Sequence, residues 1–163
     1  MQTFSVIIPT YNEANNLPLL LSDLSIDHKD GEILIVDCGS QDKTIEIAKI
    51  YGVKIYKAKD KNRGLQLNIG AKNAMGEWFI FLHADSRITP DWFSKIRSVL
   101  TKNESFIYFL KFKINNKKII YRVLEILVNF RSVFLKTPYG DQGLIIHKKT
   151  YFKNNGYRNI PLM

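Results

Sequence analysis

The chain has 163 residues, a length that suits one domain and needs no covalent scaffold to bury a core. Its single cysteine, Cys38, excludes a disulfide framework and a zinc site built on paired thiolates. With 45 % hydrophobic and 24 % charged residues the composition is globular rather than disordered, and 24 Lys and Arg against 15 Asp and Glu give a net charge of +9, which favours anionic partners such as nucleic acid, anionic lipid or phosphorylated small molecules.

In chain order, the first half alternates strand and helix signals. Phe4–Ile8 is short, β-branched and closed by Pro9, as a buried strand would be. Asn12 or Glu13 can open a helix to about Leu24, with Leu17, Leu20, Leu21 and Leu24 on one face. Glu32–Val36 is a second strand ending at Asp37, and Asp42 can cap a helix running through Ile50. Val53–Tyr56 is a third strand, Arg63–Met75 a helix stopped by Gly76, and Glu77–Leu82 a fourth strand leading into His83-Ala84-Asp85. Thr89-Pro90-Asp91 starts another helix. Ser105–Ile114 has the period of an antiparallel or edge strand, Lys117–Leu135 is a basic and strongly apolar helix candidate, Leu144–His147 is a short strand and Lys149–Asn154 a short helix. Continuous apolar strands separated by helices imply an α/β fold, with a mostly parallel twisted sheet flanked by helices and an antiparallel element in the second half.

The N-terminus lacks a basic region before its short apolar run, so no signal peptide is expected, and no segment offers about 18 uncharged apolar residues for a membrane span. The expected compartment is the cytoplasm. Nucleic acid is not expected as a partner, because the aromatics lie inside apolar strands and the basic residues are spread along the chain.

In an open parallel sheet, ligands bind beyond the carboxyl ends of the strands. Those ends carry Thr10-Tyr11-Asn12-Glu13, Asp37-Cys38-Gly39-Ser40 and His83-Ala84-Asp85, so acidic positions converge on one edge of a basic protein. A divalent cation, Mg²⁺ or Mn²⁺, would meet them, since these ions bridge one or two carboxylates to substrate phosphates. Lys59, Lys61 and Arg63 stand before the third helix, whose free N–H groups together with Arg63 can hold a diphosphate. The pattern suggests a metal-bound nucleoside diphosphate.

Phe4–Leu17 (FSVIIPTYNEANNL), Ile35–Thr44 (IVDCGSQDKT) and Phe79–Ser86 (FIFLHADS) resemble the motifs of family 2 glycosyltransferases with the GT-A (nucleotide-diphospho-sugar transferase) fold. Arg63–Gly76 (RGLQLNIGAKNAMG) and Tyr139–Gly143 (YGDQG) add a resemblance to the radical-SAM/selenodomain-associated subgroup. The resemblance implies one glycosyltransferase domain over 1–163, with a nucleotide-sugar-binding half (1–100) and an acceptor-side half (101–163). It implies a UDP- or GDP-type donor and metal-assisted, inverting transfer to an acceptor hydroxyl. By the same resemblance Thr10, Tyr11 and Glu13 line the nucleoside pocket, Asp37 reads the base beside Gly39, and Arg63 and Gln66 face the diphosphate. Asp85, after Ala84, matches the last acid of the metal-binding DxD motif, and His83 stands in place of the first. The Tyr139–Gln142 turn lies towards the acceptor.

The subgroup resemblance also implies an acidic pair after the Pro-Leu-Met segment, where the catalytic base is expected. The sequence ends at Met163, which leaves Asp141 as the candidate base and two readings open: a fragment of a glycosyltransferase, or a degenerate, non-catalytic nucleotide-sugar-binding module. Lys117–Leu135 likewise carries two readings, a packing helix that covers the sheet or an amphipathic element touching an anionic membrane that holds a lipid-linked acceptor. Cys38 reads as a small filler beside the cleft.

Overall fold

The structure is a computed structural model that describes residues 3–24, 31–111, 113, 119–134 and 143–158. The first half builds β1 (Phe4–Thr10), α1 (Leu17–Asp23), β2 (Gly31–Asp37), α2 (Thr44–Ile50), β3 (Lys54–Lys57), α3 (Arg63–Asn73), β4 (Trp78–Phe81) and α4 (Trp92–Leu100). The second adds β5 (Ile107–Phe109), α5 (Ile119–Phe134), β6 (Leu144–His147) and α6 (Lys148–Lys153). Among the described residues the strands form one sheet in the order β3-β2-β1-β4-β6-β5. The β3-β2-β1-β4 part is parallel, whereas β6 runs antiparallel to both β4 and β5. The parallel sheet with a late antiparallel element is the architecture the sequence pattern implies.

Strand alternation sends successive side chains to opposite faces. Val6 and Ile8 therefore join Leu17, Leu20, Ile35, Ile80, Trp92 and Ile96 in a core under α1, α2 and α4. Ile7 joins Leu34, Val36, Leu67, Ala71, Phe79, Phe81 and Tyr151 in a second core under α3 and α6.

Three sequence expectations shift. β1 continues through Pro9 to Thr10 instead of closing at Pro9, and Pro9 pairs in register with Val36. Ile7 turns its carbonyl towards Leu82, so by alternation Pro9 turns its missing donor to the same side, past the last laddered residue of β4, where no ladder bond is lost. α1 begins at Leu17 and not at Asn12 or Glu13, because Asn12 adopts φ +55°, a left-handed conformation that no right-handed helix includes. Of the Ser105–Ile114 strand, the described residues pair over Ile107–Phe109 at the sheet edge, and Phe112 and Ile114 lie outside the described residues. Tyr139–Gln142, including Asp141, lies outside the described residues.

Candidate functional site

The register places the strand ends together. Thr10 pairs with Asp37, and Asp37 with Lys57. Phe81 pairs with Ile7, and the Leu82 N–H donates to the Ile7 carbonyl, so His83-Ala84-Asp85 leaves the sheet beside the end of β1. The loops after β1, β2 and β4 thus share one edge, as the sequence implies.

Asp37 organises that edge. It is 3 % exposed, and its carboxylate takes four donors. Oδ1 accepts the main-chain N–H groups of Gly39 (2.8 Å) and Ser40 (2.9 Å). Oδ2 accepts the hydroxyls of Thr10 (3.0 Å) and Ser40. The turn needs Gly39 at φ +91°, a region an L side chain rarely enters. Ser40 passes the constraint on: its Oγ also accepts the Asn12 N–H at 2.8 Å, and the Asn12 side chain accepts the Gln41 N–H at 2.8 Å. Further along, Thr44 Oγ1 accepts the Glu13 N–H and Asp42 accepts the Ala14 N–H. The loop Tyr11–Asn16 is thereby fastened to the loop Ser40–Thr44, and the left-handed Asn12 aims both of its groups at the neighbour. Asp42 sits below the ordinary carboxylate range: burial pushes it up, and hydrogen bonds from Thr44 and Ala14 outweigh that. The Glu13 carboxylate accepts from the Asn16 amide at 3.0 Å.

The third wall is the start of α3. Asn62 caps it by accepting the Leu65 N–H at 3.0 Å. Arg63, the first helical residue, brings its guanidinium to 3.0 Å from His83 Nδ1. A guanidinium only donates, so Nδ1 is the acceptor and the neutral imidazole carries its proton on Nε2. Lys61 lies 3.7 Å over the Tyr11 ring, which closes the rim between the first and third loops. Gln66 has a supporting place: it is 5 % exposed, and its amide donates to the carbonyls of Thr10 (3.0 Å) and Val36 (2.7 Å), bridging β1 and β2 from beneath. Ala84 is buried beside the exposed Asp85.

Several residues that build the site had no signal in sequence spacing. Asp23, at the end of α1, holds the segment after Asp85 by accepting from Arg87 Nε (2.6 Å), Arg87 Nη2 (3.0 Å) and the Ile88 N–H (3.1 Å). The Arg87 hydrogen bond holds the Asp23 carboxyl below its ordinary value. Asn68 on α3 accepts from the Tyr151 hydroxyl (2.6 Å) and the Tyr157 N–H (3.1 Å), and donates to the Tyr157 carbonyl (2.8 Å). That clamp lays the segment through Arg158 over α3, where a Cβ on Gly64 would meet the Arg158 carbonyl at 2.2 Å. Burial pushes the Tyr151 phenol up to about 12, and burial followed by the Tyr151 charge pushes Tyr157 well above the usual range despite Arg63. Cys38 is buried, and burial followed by the Asp37 charge raises its thiol, which disfavours the thiolate a nucleophile needs.

A hard divalent cation asks for oxygen donors. The exposed Asp85 carboxylate supplies them, and diphosphate oxygens could complete the shell. The side of His83 that carries Nδ1 is taken by Arg63. Among the described residues no group of three His, Cys, Asp or Glu side chains is arranged to hold a metal alone. Asp85 can give such a cation a carboxylate but not a closed shell.

A mostly parallel sheet with an antiparallel neighbour, helices on both faces and acid-bearing loops at one edge is the GT-A fold of sugar transferases. Solved structures share it. S. aureus TarS 1–349 in complex with UDP-GlcNAc superposes with a TM-score of 0.75 at 23 % identity, covering 96 % of this chain and 48 % of that one. The mannosyltransferase PcManGT from Pyrobaculum calidifontis, in complex with GDP-Man and Mn²⁺, gives a TM-score of 0.75 at 16 % identity over 96 % of this chain and 47 % of that one. Residues 5–158 match the model of Glycosyl transferase family 2, and the chain belongs to that family. An uncharacterized glycosyltransferase of Rickettsia typhi is 36 % identical over 119 residues, which are 70 % of this chain and 37 % of the relative. This chain thus spans less than half the length of each of these proteins.

Proposed function

We propose that this chain serves a glycosyltransferase that moves a sugar from a UDP- or GDP-type donor to an acceptor hydroxyl, with inversion at the anomeric carbon. The observation that carries the reading is the convergence of the β1, β2 and β4 loops on the start of α3, which brings Asp37, Arg63 and the His83–Asp85 turn to one edge. Complexes of fold relatives with UDP-GlcNAc, and with GDP-Man and Mn²⁺, support it. Residues 1–100 form the donor half in this reading, and 101–163 the acceptor side.

Thr10, Tyr11, Glu13 and Gly39 line the nucleoside pocket. Asp37 reads the base through Oδ2. The two donors on Oδ1 are fixed main-chain groups, whereas those on Oδ2 are hydroxyls that can rotate away and yield a lone pair to a base N–H. Asp85 would hold a divalent cation; His83, the second candidate, would have to release Arg63 before Nδ1 could join it. When bound, such a cation supplies charge neutralisation for the departing diphosphate. Arg63 adds a fixed positive charge on the same side, and Gln66 keeps β1 and β2 in place beneath it. In the transfer the acceptor oxygen bonds to the anomeric carbon, the bond from that carbon to the diphosphate oxygen breaks, and the hydroxyl proton passes to a carboxylate base, for which Asp141 is the candidate in this sequence.

Calorimetry of UDP, GDP and their sugars with Mg²⁺ or Mn²⁺ tests this. Metal-dependent binding that is lost in Asp85→Ala is expected. No binding of either nucleotide with either metal would overturn the proposal.

A further inference from the structure

Helix α5 is inside out. At about 100° per residue, Ile119, Ile120, Val123, Ile126, Leu127 and Phe130 fall within an arc of roughly 120°. These six side chains are 51–81 % exposed. The other side of the helix faces the protein and carries an ion pair. Glu125 is buried, and Arg122 grips it with two bonds of 2.8 and 2.7 Å, while Tyr121, Val128 and Asn129 are half-buried. A water-facing helix normally turns its apolar arc inward.

The charge of the sequence through this helix says what covers its apolar arc. Residues 111–136 hold seven basic residues (Lys111, Lys113, Lys117, Lys118, Arg122, Arg131 and Lys136) and one acidic residue, Glu125, so this stretch carries +6 of the chain's +9. The one acid is turned inward and neutralised by Arg122. An apolar stripe in a basic stretch matches a surface that is apolar below and anionic above, as an anionic bilayer is. The 16 described residues of the helix extend about 24 Å and include Arg122, Glu125 and Arg131, a charge density that suits a helix lying in the interface. No described helix is long and apolar enough to cross a membrane.

We propose that the outward face of α5 docks the protein on anionic lipid membranes. Taken with the sugar-transfer reading, on which this last step rests, the acceptor is then a hydroxyl carried by a lipid in that surface.

The test is flotation of the 163-residue chain with phosphatidylcholine vesicles, with and without phosphatidylglycerol, at low and high salt. Binding is expected only with phosphatidylglycerol at low salt. Ile126→Glu with Phe130→Glu should abolish it, and Lys117→Glu with Lys118→Glu should weaken it by roughly tenfold or more. Phe130→Trp should shift its emission to the blue on anionic vesicles and be quenched by brominated lipid. All these substitutions should keep the circular dichroism of the unsubstituted chain. No binding at low salt, or equal binding to neutral vesicles, would overturn the proposal. So would a dimer that Ile126→Glu with Phe130→Glu converts to a monomer, since a second copy would then own the face. UDP affinity measured on the same samples separates the two readings: loss of lipid binding with UDP binding intact removes only the docking.

Discussion

Substituting Asp37 in two ways separates its structural role from its recognition role. In Asp37→Ala, the Gly39 and Ser40 N–H groups lose a charged acceptor, and the buried Thr10 hydroxyl loses its partner. With hydrogen bonds to charged groups worth about 1.5–3 kcal/mol and part of the turn open to water, the cost is about 2–4 kcal/mol. For a chain of this size that lowers Tm by roughly 4–16 °C. In Asp37→Asn, the amide oxygen takes the place of Oδ1 and keeps both main-chain donors, while the NH₂ group faces two hydroxyls that can turn to accept. The cost falls to about 1 kcal/mol, one neutral hydrogen bond. The NH₂ group, however, now stands where a base N–H would need an acceptor, which costs about 1.5–3 kcal/mol of binding, or roughly 10- to 100-fold in Kd. Differential scanning calorimetry and isothermal titration with UDP and GDP read the two effects. Equal destabilisation by Asn and Ala would refute the rotating-hydroxyl argument. Undiminished nucleotide affinity in the Asn variant would confine Asp37 to building the turn.

Gln66→Leu removes the two amide bonds beneath β1 and β2, though the Thr10 carbonyl keeps the Cys38 N–H, and should cost about 1–3 kcal/mol, read as a lower denaturant midpoint with an unchanged m-value. Asn68→Ala removes three bonds to Tyr151 and Tyr157, so hydrogen exchange at Tyr157 should accelerate while exchange in β1 and β2 stays slow. At Glu32, burial pushes the carboxyl up, but hydrogen bonds from Lys54, Ser5 and the Met75 N–H outweigh it and leave the group below its ordinary value. A depressed carboxyl stabilises the fold above its unfolded value and loses that contribution as pH falls. Thermal scans should therefore show stability dropping below about pH 4.3, near the ordinary Glu value, and less steeply in Glu32→Gln.

The strands and most helices could be read from the sequence because each leaves a local period. Runs such as Phe4–Ile8 and Glu77–Leu82 are short and apolar, and the leucines of α1 recur at helical spacing. The meeting of the three loops followed from strand direction alone. The interactions that shape the site were not readable, because they join residues far apart: Asn12 to Ser40 and Gln41, Asp23 to Arg87, Asn68 to Tyr157. Polar side chains such as Gln66 also look alike in sequence whether they point at a ligand or at a carbonyl beneath the sheet. In α5 the sequence left a packing helix and a membrane-facing one open, since the inward turn of Glu125 depends on the rest of the molecule.

A crystal structure of this chain soaked with UDP and Mn²⁺ tests the central claim most directly. The account predicts the diphosphate at the sheet edge, with Mn²⁺ on the Asp85 carboxylate, the Arg63 guanidinium beside the phosphates and the uracil against the Asp37 turn. A nucleotide bound elsewhere, or bound at that edge with Asp85 and Arg63 both out of contact, would contradict it.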